Sequence, residues 1–345
     1  MGGWVDEYRA AIHSSIHPFI PPTERTGAKR AMKCFITGAA GFIGAHLARR
    51  LLTDGHEVVG LDSFTDYYPR PIKEARIAPL RSLPGFTLVE GDILSAPLDS
   101  LAEGAHVFFH LAAQAGVRAS WGQSFEIYTN NNVLATQRLL ECARRIRPAR
   151  FVYASSSSVY GEGRDRPTRE SDPKVPLSPY GVTKLAGEHL CHLYEHNFGL
   201  STLSLRFFTV YGPLGRPDMS IWKFTLALLR GEELVVYGDG RQSRGFTYVD
   251  DVVEACLLAA RSPRSDTAFN VGGASTATVN QLIRRLERIV GAKARIRHEP
   301  FAQGDARHTH ADMTRTRRIL GLTARTSLAR GLPPTVQSIR DFYRL

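Results

Sequence analysis

The sequence predicts an α/β fold, a doubly wound parallel sheet followed by a smaller C-terminal α/β lobe. Three observations carry this. From Met32 onward, short apolar runs alternate with helix-length stretches; a glycine-rich turn joins the first run to the first helix; and after Gly212 the rhythm changes to shorter elements punctuated by Pro and Gly.

Residues 1–31 mix His, Pro, Thr and charges without the apolar core or cleavage pattern of a signal peptide, so they read as an N-terminal extension. Trp4, Val5, Tyr8, Ile12 and Ile16 fall at helical spacing there, which leaves open a short docking helix or a frayed terminus. Strands are expected at 33–37, 58–61, 86–89, 107–110, 151–154 and 202–206. Between them lie a helix carrying Ile43, Leu47 and Leu51 and further helices at 132–145 and 180–197. Residues 32–211 thus form one domain. Residues 212–345 form mainly the second lobe, with strands at 234–237 and 246–249, a helix at 279–290, and some chain returning to the first domain.

Composition narrows the function classes. Of 345 residues, 43% are hydrophobic and 22% charged, the balance of an ordinary soluble protein. No apolar run approaches the roughly 20 residues a bilayer-spanning helix needs, so no membrane partner is expected. Cys34, Cys142, Cys191 and Cys256 are scattered without metal-ligand or disulfide spacing, which implies no metal site and fits a reducing cytoplasm. The net charge of +11 and arginine clusters at 144–150, 284–297 and 315–318 would suit a polyanion. With no nucleic-acid motif present, those clusters read mostly as solvated helix faces and loops, and no nucleic-acid partner is expected.

The run from Thr37 to Gly44 places Gly38, Gly41 and Gly44 in a Gly-x-x-Gly-x-x-Gly turn between the first strand and the first helix. Such a turn brings backbone amides, with Phe42 and Ile43 in the opening helical turn, against a pyrophosphate at a helix N-terminus, the Rossmann arrangement. Asp62 follows the second strand, where a carboxylate accepts from an adenosine ribose and repels a 2′-phosphate; no Arg or Lys immediately follows it, so NAD is expected rather than NADP. Asp92, after the third strand, is placed to reach the adenine edge.

A strand ending at Ser155-Ser156-Ser157-Ser158 delivers hydroxyls to the carboxyl edge of the sheet, where open α/β sheets bind ligands. Tyr180 and Lys184, four apart, share one face of a helix. A nearby ammonium and a cationic nicotinamide would favour the phenolate and lower the Tyr180 pKa, so that Tyr180 removes a hydroxyl proton as hydride leaves carbon.

Taken together, the glycine turn, Asp62, the serine strand and Tyr180-x-x-x-Lys184 resemble the extended short-chain dehydrogenase/reductase family, from Met32 to the C-terminus. Within it the chain is most similar to nucleotide-sugar 4-epimerases, UDP-glucuronate 4-epimerases in particular. Asp66-Tyr67-Tyr68, the run from His110 to Arg118 and the run from Arg206 to Met219 carry that likeness. The resemblance implies an NAD-dependent isomerase that oxidises C4 of a UDP-sugar, lets the 4-keto sugar rotate and reduces its other face. Ser156, Tyr180 and Lys184 would be catalytic. Ile93, Leu111, Ala112, Ala113 and Asn132 would join the cofactor site, Asn132 either supporting Lys184 through a water or capping a helix.

For the substrate, the resemblance implies contacts from Ser157, Ser158, Thr209, Arg216, Arg244, Asp305 and Arg307. In 4,6-dehydratases the positions of Ser157 and Ser158 typically carry Asp and Glu, and UDP-glucuronate decarboxylases usually carry Glu at the position of Ser158, so the sequence departs from both, with a UDP-glucuronate decarboxylase kept as a more distant alternative. Neutral hydroxyls instead suit a C6 carboxylate, with Thr209 replacing the Asn of many neutral-sugar 4-epimerases. Arg216, Arg244, Asp305 and Arg307 resemble uridine and diphosphate contacts, although Gly245 stands where an Asp often follows Arg244. UDP-glucose and UDP-N-acetylhexosamine remain alternative substrates, a catalytically idle NAD-binding scaffold remains an alternative role, and a homodimer built on the helices at 132–145 and 180–197 is the family expectation.

Overall fold

The computed structural model describes residues 31–163, 166–265, 267–301 and 304–345; the docking helix considered at 4–16 lies outside the described residues. Strands β1 (Lys33–Thr37), β2 (Glu57–Asp62), β3 (Phe86–Glu90), β4 (Val107–His110), β5 (Arg150–Ser156) and β6 (Thr202–Phe207) alternate with helices α1 (Phe42–Thr53), α2 (Arg70–Ile77), α3 (Ala135–Ile146) and α4 (Pro179–Phe198). All residues of β4 and β5 are buried, which explains their near-continuous apolar runs: a central parallel strand is covered on both faces.

Side chains one residue apart enter different cores. Phe35, Phe108, Phe151 and Tyr153 pack against α3 and α4, whereas Ile36, Phe109, Val152 and Leu205 pack on the opposite face against α1. Each such fully buried side chain contributes roughly 1.5–3 kcal/mol of transfer free energy.

The chain then builds the lobe with β7 (Val210–Tyr211), α5 (Ser220–Arg230), β8 (Glu233–Tyr237) and β9 (Ser243–Tyr248), before α6 (Val249–Arg261) and β10 (Thr267–Val271) return to the main sheet. That sheet has the order β10-β6-β5-β4-β1-β2-β3, all parallel. Its winding reverses between β1 and β4, where ligands enter such sheets. Helix α6 joins α1 in covering one sheet face. Helices α7 (Val279–Val290) and α8 (Leu328–Tyr343) complete a separate lobe core with Leu234, Val236, Leu282 and Val336.

Three expectations need correction. The helix at 132–145 is preceded by a π-helical turn, Thr129–Leu134, and its α-helical part starts at Ala135; the wider turn directs Asn132 into the interior. The strand at 246–249 ends at Tyr248, because Val249 opens α6, whose first turn carries Asp250 and Asp251 where the helix dipole favours them. Arg150, grouped with solvated arginines, is only 1% exposed at the start of β5 and donates to the Ser262 carbonyl.

Candidate functional site

The carboxyl ends of β1, β4 and β5 open into a cleft of about 1270 Å³ that runs between the sheet and the lobe. A single small-molecule site usually measures roughly 300–1,000 Å³, so this one has room for a cofactor and a substrate together.

At the β1 end, Gly38 has φ +74°, and a Cβ on Gly44 would lie 2.1 Å from the Gly38 carbonyl oxygen. The turn therefore excludes side chains and keeps the first amides of α1 close to the cleft. Gly41 caps α1 without a side-chain hydrogen bond, leaving those amides available to an anion. Gly38, Gly41, Phe42, Ile43, Gly44, Asp62, Asp92, Ile93, Leu111, Ala112 and Ala113 all line the cleft. The cradle thus fits a dinucleotide pyrophosphate with a ribose at Asp62.

Asp62 is held by the amides of Ala40 and Phe64, at 3.0 and 2.8 Å. His110, fully enclosed, bridges Thr37 Oγ1 at 2.7 Å and Thr136 Oγ1 at 2.9 Å. Burial, reinforced by Lys184, lowers its pKa to about 3, so it is a neutral spacer at the end of β4.

The sequence does not reveal Lys73. No basic residue follows Asp62 directly, yet α2 brings the Lys73 ammonium back to 3.6 Å from Asp62 Oδ1, with a side chain only 7% exposed. Eleven positions along the chain hide that proximity from motif reading.

On β5, the Ser156 hydroxyl accepts from the Ser158 amide at 3.1 Å and donates to Ser158 Oγ at 3.2 Å. Helix α4 starts beside it, capped by Ser178, whose hydroxyl accepts from the Gly181 amide. Tyr180 and Lys184 follow on the wall of the cleft, together with Ser156, Ser157, Ser158 and Thr209.

The electrostatics differ from the expected ones. Burial raises the Tyr180 pKa, and the influences that lower it come from Arg216 first and then from a hydrogen bond with Ser156. Lys184 is itself lowered to about 8, chiefly by burial, and its ammonium lies 4.6 Å from the Tyr153 ring centre. Enclosure therefore outweighs the simple pairing that a four-residue spacing suggests.

Arg216 forks onto Asp218, with Nε and Nη2 donating at 3.0 and 2.5 Å, and Tyr67 donates to the same carboxylate at 3.2 Å. This cluster faces Tyr180 through the charge of Arg216, so Tyr67 and Asp218 line the site; both fall within runs that carry the family likeness, but the sequence gives neither of them a role. Arg244 and Asp305 also line the cleft. Arg244 is oriented by the carbonyls of Ser243 and Arg307, at 2.9 and 3.1 Å, which supplies the support that Gly245 cannot. Asp305 is taken by Arg118 at 2.6 Å, across the mouth of the cleft, and Arg118 in turn lies 4.1 Å from the Tyr237 ring centre.

Two expected residues stand elsewhere. Arg307 is exposed and its guanidinium lies 5.6 Å from the Phe301 ring centre, outside the cleft lining; it contributes its backbone instead. Asn132 neither caps a helix nor lines the cleft. Its carboxamide is spent on the Gln114 amide and carbonyl and on Thr183 Oγ1, at 2.7, 3.0 and 2.9 Å, tying the loop after β4 to α4. Among the described residues no cluster of His, Cys, Asp and Glu could hold a metal ion, and no helix is long and apolar enough to cross a membrane.

Comparison with known proteins agrees with this geometry. A Bacillus subtilis protein described as an uncharacterized UDP-glucose epimerase, YtcB, is 42% identical, over 91% of this chain and 99% of its own. UDP-glucuronate 4-epimerase 4 of Arabidopsis thaliana is 39% identical, over 92% of this chain and 78% of its own. The crystal structure of UDP-glucuronic acid 4-epimerase from Bacillus cereus, in complex with UDP-glucuronic acid and NAD, superposes with a TM-score of 0.88 at 39% identity. It covers 90% of this chain and all of that one. The sequence profile of the NAD dependent epimerase/dehydratase family matches residues 34–272, and the chain belongs to that family.

Proposed function

We propose that this protein is a UDP-glucuronate 4-epimerase, interconverting UDP-glucuronate and UDP-galacturonate. The observation that carries the reading is the join of two groups of side chains on one cleft wall. Ser156, Tyr180 and Lys184 can move a proton, and beside them Ser157, Ser158 and Thr209 offer only neutral hydroxyls. No carboxylate stands at the two serines to eliminate water across C5 and C6, so oxidation at C4 leads back to reduction rather than onward to dehydration.

When bound, NAD supplies the hydride acceptor and donor, and its cationic ring favours the phenolate. The chain does the rest. Tyr180 accepts the O4 proton of the sugar, with the Ser156 hydroxyl hydrogen-bonded to it, and returns that proton once the ketone has presented its opposite face. The glycine cradle and the uncapped start of α1 keep the cofactor in place, so no external reductant is consumed. Among the described arginines that line the cleft, Arg244 alone has no carboxylate ion pair, so it is placed to anchor the nucleotide end, which puts most of the binding free energy away from the moving sugar. A 4-keto glucuronate is a β-keto acid, and hydroxyls from Ser157, Ser158 and Thr209 that hold the carboxylate out of the perpendicular arrangement protect it from losing CO₂.

The same reading includes a homodimer. Leu134, just before α3, and Val182 and Leu193 on α4 are each about half exposed, and α3 meets α4 through Gln137 and Glu141 on the Tyr194 hydroxyl. Half-exposed aliphatic side chains on two adjoining helices support a second copy docking there.

Four outcomes test this reading. Purified protein given UDP-glucuronate and no added NAD forms UDP-galacturonate, Tyr180→Phe lowers the rate at least about a hundredfold, and a parent protein that converts only UDP-glucose or UDP-N-acetylglucosamine overturns the substrate assignment. Thr209→Ala raises the fraction of UDP-pentose among the products; an unchanged product ratio by chromatography removes the protective role. Arg216→Gln takes away the largest influence lowering the Tyr180 pKa, so the rise of kcat/KM with pH moves to higher pH, and a profile that stays in place contradicts the coupling. Leu193→Glu converts a dimer to a monomer in sedimentation, whereas a parent that already sediments as a monomer sinks the dimer.

A further inference from the structure

The cofactor end of the cleft holds a charge pair that the family motif does not account for. Lys73 is buried at 5% exposure, with its ammonium 3.6 Å from Asp62 and 3.5 Å from Thr65 Oγ1, and it lines the cleft beside Ser63 and Thr65. Phe64 and Tyr68 flank it, their ring centres 5.7 and 5.4 Å from the ammonium. Its basic neighbours on α2 are committed elsewhere. Arg70 forks onto Glu90 at 2.7 and 2.6 Å, and Arg76 donates to Tyr68 and to the carbonyls of Leu214 and Gly215.

The Asp62 carboxylate, by contrast, is fixed by two amides and cannot swing toward the ammonium to shorten the pair. A largely desolvated cation therefore faces the ribose end of the cleft, held at a loose distance by one carboxylate. Burial pushes the Lys73 pKa down, and Asp62 is the first influence that restores it.

We infer that Lys73 is a second determinant of cofactor choice, a masked receptor for an adenosine 2′-phosphate that Asp62 keeps silent. The inference rests on the NAD site at the glycine turn but not on which sugar is turned over. Asp62 does two things at once. It repels a 2′-phosphate, and it occupies a cation that would otherwise neutralise such a phosphate. Exchanging the carboxylate for a neutral amide removes the repulsion and leaves a buried ammonium seeking an anion, a charge pair that gains strength from the low local dielectric.

The test is direct titration of nucleotide-free protein with NADPH and with NADH, followed by dihydronicotinamide fluorescence. Asp62→Asn is expected to bind NADPH roughly tenfold or more tightly than the parent. Asp62→Asn/Lys73→Met loses most of that gain while still binding NADH, and Asp62→Asn/Lys73→Arg keeps it. In the parent background Lys73→Met removes the cation that offsets the Asp62 carboxylate, so the repulsion of a 2′-phosphate grows and the residual NADPH affinity falls further, a readout that stands even where Asp62→Asn does not fold. NADPH affinity that is equal in Asp62→Asn with and without Lys73, or unmoved by Lys73→Met, overturns the inference. NADH binding retained in the same variants separates that failure from a failure of the cofactor site itself.

Discussion

The buried ion pair between Arg206 and Glu188 is the interaction on which the site's geometry depends. Arg206 stands on β6 and Glu188 on α4, and the guanidinium forks onto the carboxylate at 2.8 and 2.7 Å with both side chains less than a tenth exposed. Ser155, the neighbour of Ser156, donates to the same carboxylate at 2.5 Å. One carboxylate thereby sets the strand that presents Ser156 against the helix that presents Tyr180 and Lys184. Arg206 also donates to the Tyr160 hydroxyl, which donates to Asn270 on β10, so the late-returning strand is registered to the same point. A buried pair adds little net stability over apolar packing, but removing one partner strands the other at a cost of about 3–5 kcal/mol. Its value here is positional. It fixes a distance between two elements that hydrophobic packing alone would leave free to slide.

Enclosure then does the chemical tuning. The pocket that holds Lys184 depresses its pKa to about 8 and keeps His110 neutral, and the same enclosure pushes Tyr180 up. A tyrosine raised by burial is a poor base on its own. Ser156, Arg216 and a cationic cofactor ring each favour the phenolate, so the proton-accepting form is reached when the site is assembled. This makes the acid/base group conditional on what the cleft contains, which suits a reaction that must oxidise only a correctly seated sugar.

How far the sequence reveals this depends on the range of each interaction. Strand and helix positions follow from local periodicity, and the glycine turn, Asp62 and Tyr180-x-x-x-Lys184 are each compact enough to be read in a line. The π-helical turn before Ala135 is invisible to periodicity, because it arises when Asn132 reaches across to Gln114 and Thr183. Arg118 meets Asp305 across 187 residues, and Lys73 meets Asp62 only because α2 folds back. Arg307 shows the converse: the resemblance gives it a substrate role, whereas in the structure its guanidinium lies beside Phe301 and its carbonyl accepts from Arg244. The Tyr180 pKa escapes the sequence for a further reason. Spacing reports which groups are near, whereas desolvation depends on everything around them.

The charge pattern of the cleft fits an intermediate that must turn over in place. A 4-keto sugar held by a lone fixed charge would be pinned in one orientation, since a charged hydrogen bond contributes about 1.5–3 kcal/mol and several would add to a barrier. Arg216 is the cation that bears on Tyr180 at the reacting end, and its fork onto Asp218 occupies Nε and Nη2, leaving fewer donors to pin a carboxylate. Neutral hydroxyls from Ser157, Ser158 and Thr209 can each donate in more than one rotamer, so a hydrogen bond given up on one side is replaced on another as the ring rotates. In the proposed reading the nucleotide end, where Arg244 donates to backbone carbonyls rather than to a carboxylate, bears the affinity. Separating a firm anchor from a permissive sugar site would let one Tyr180 serve both faces of C4, as the proposed function requires.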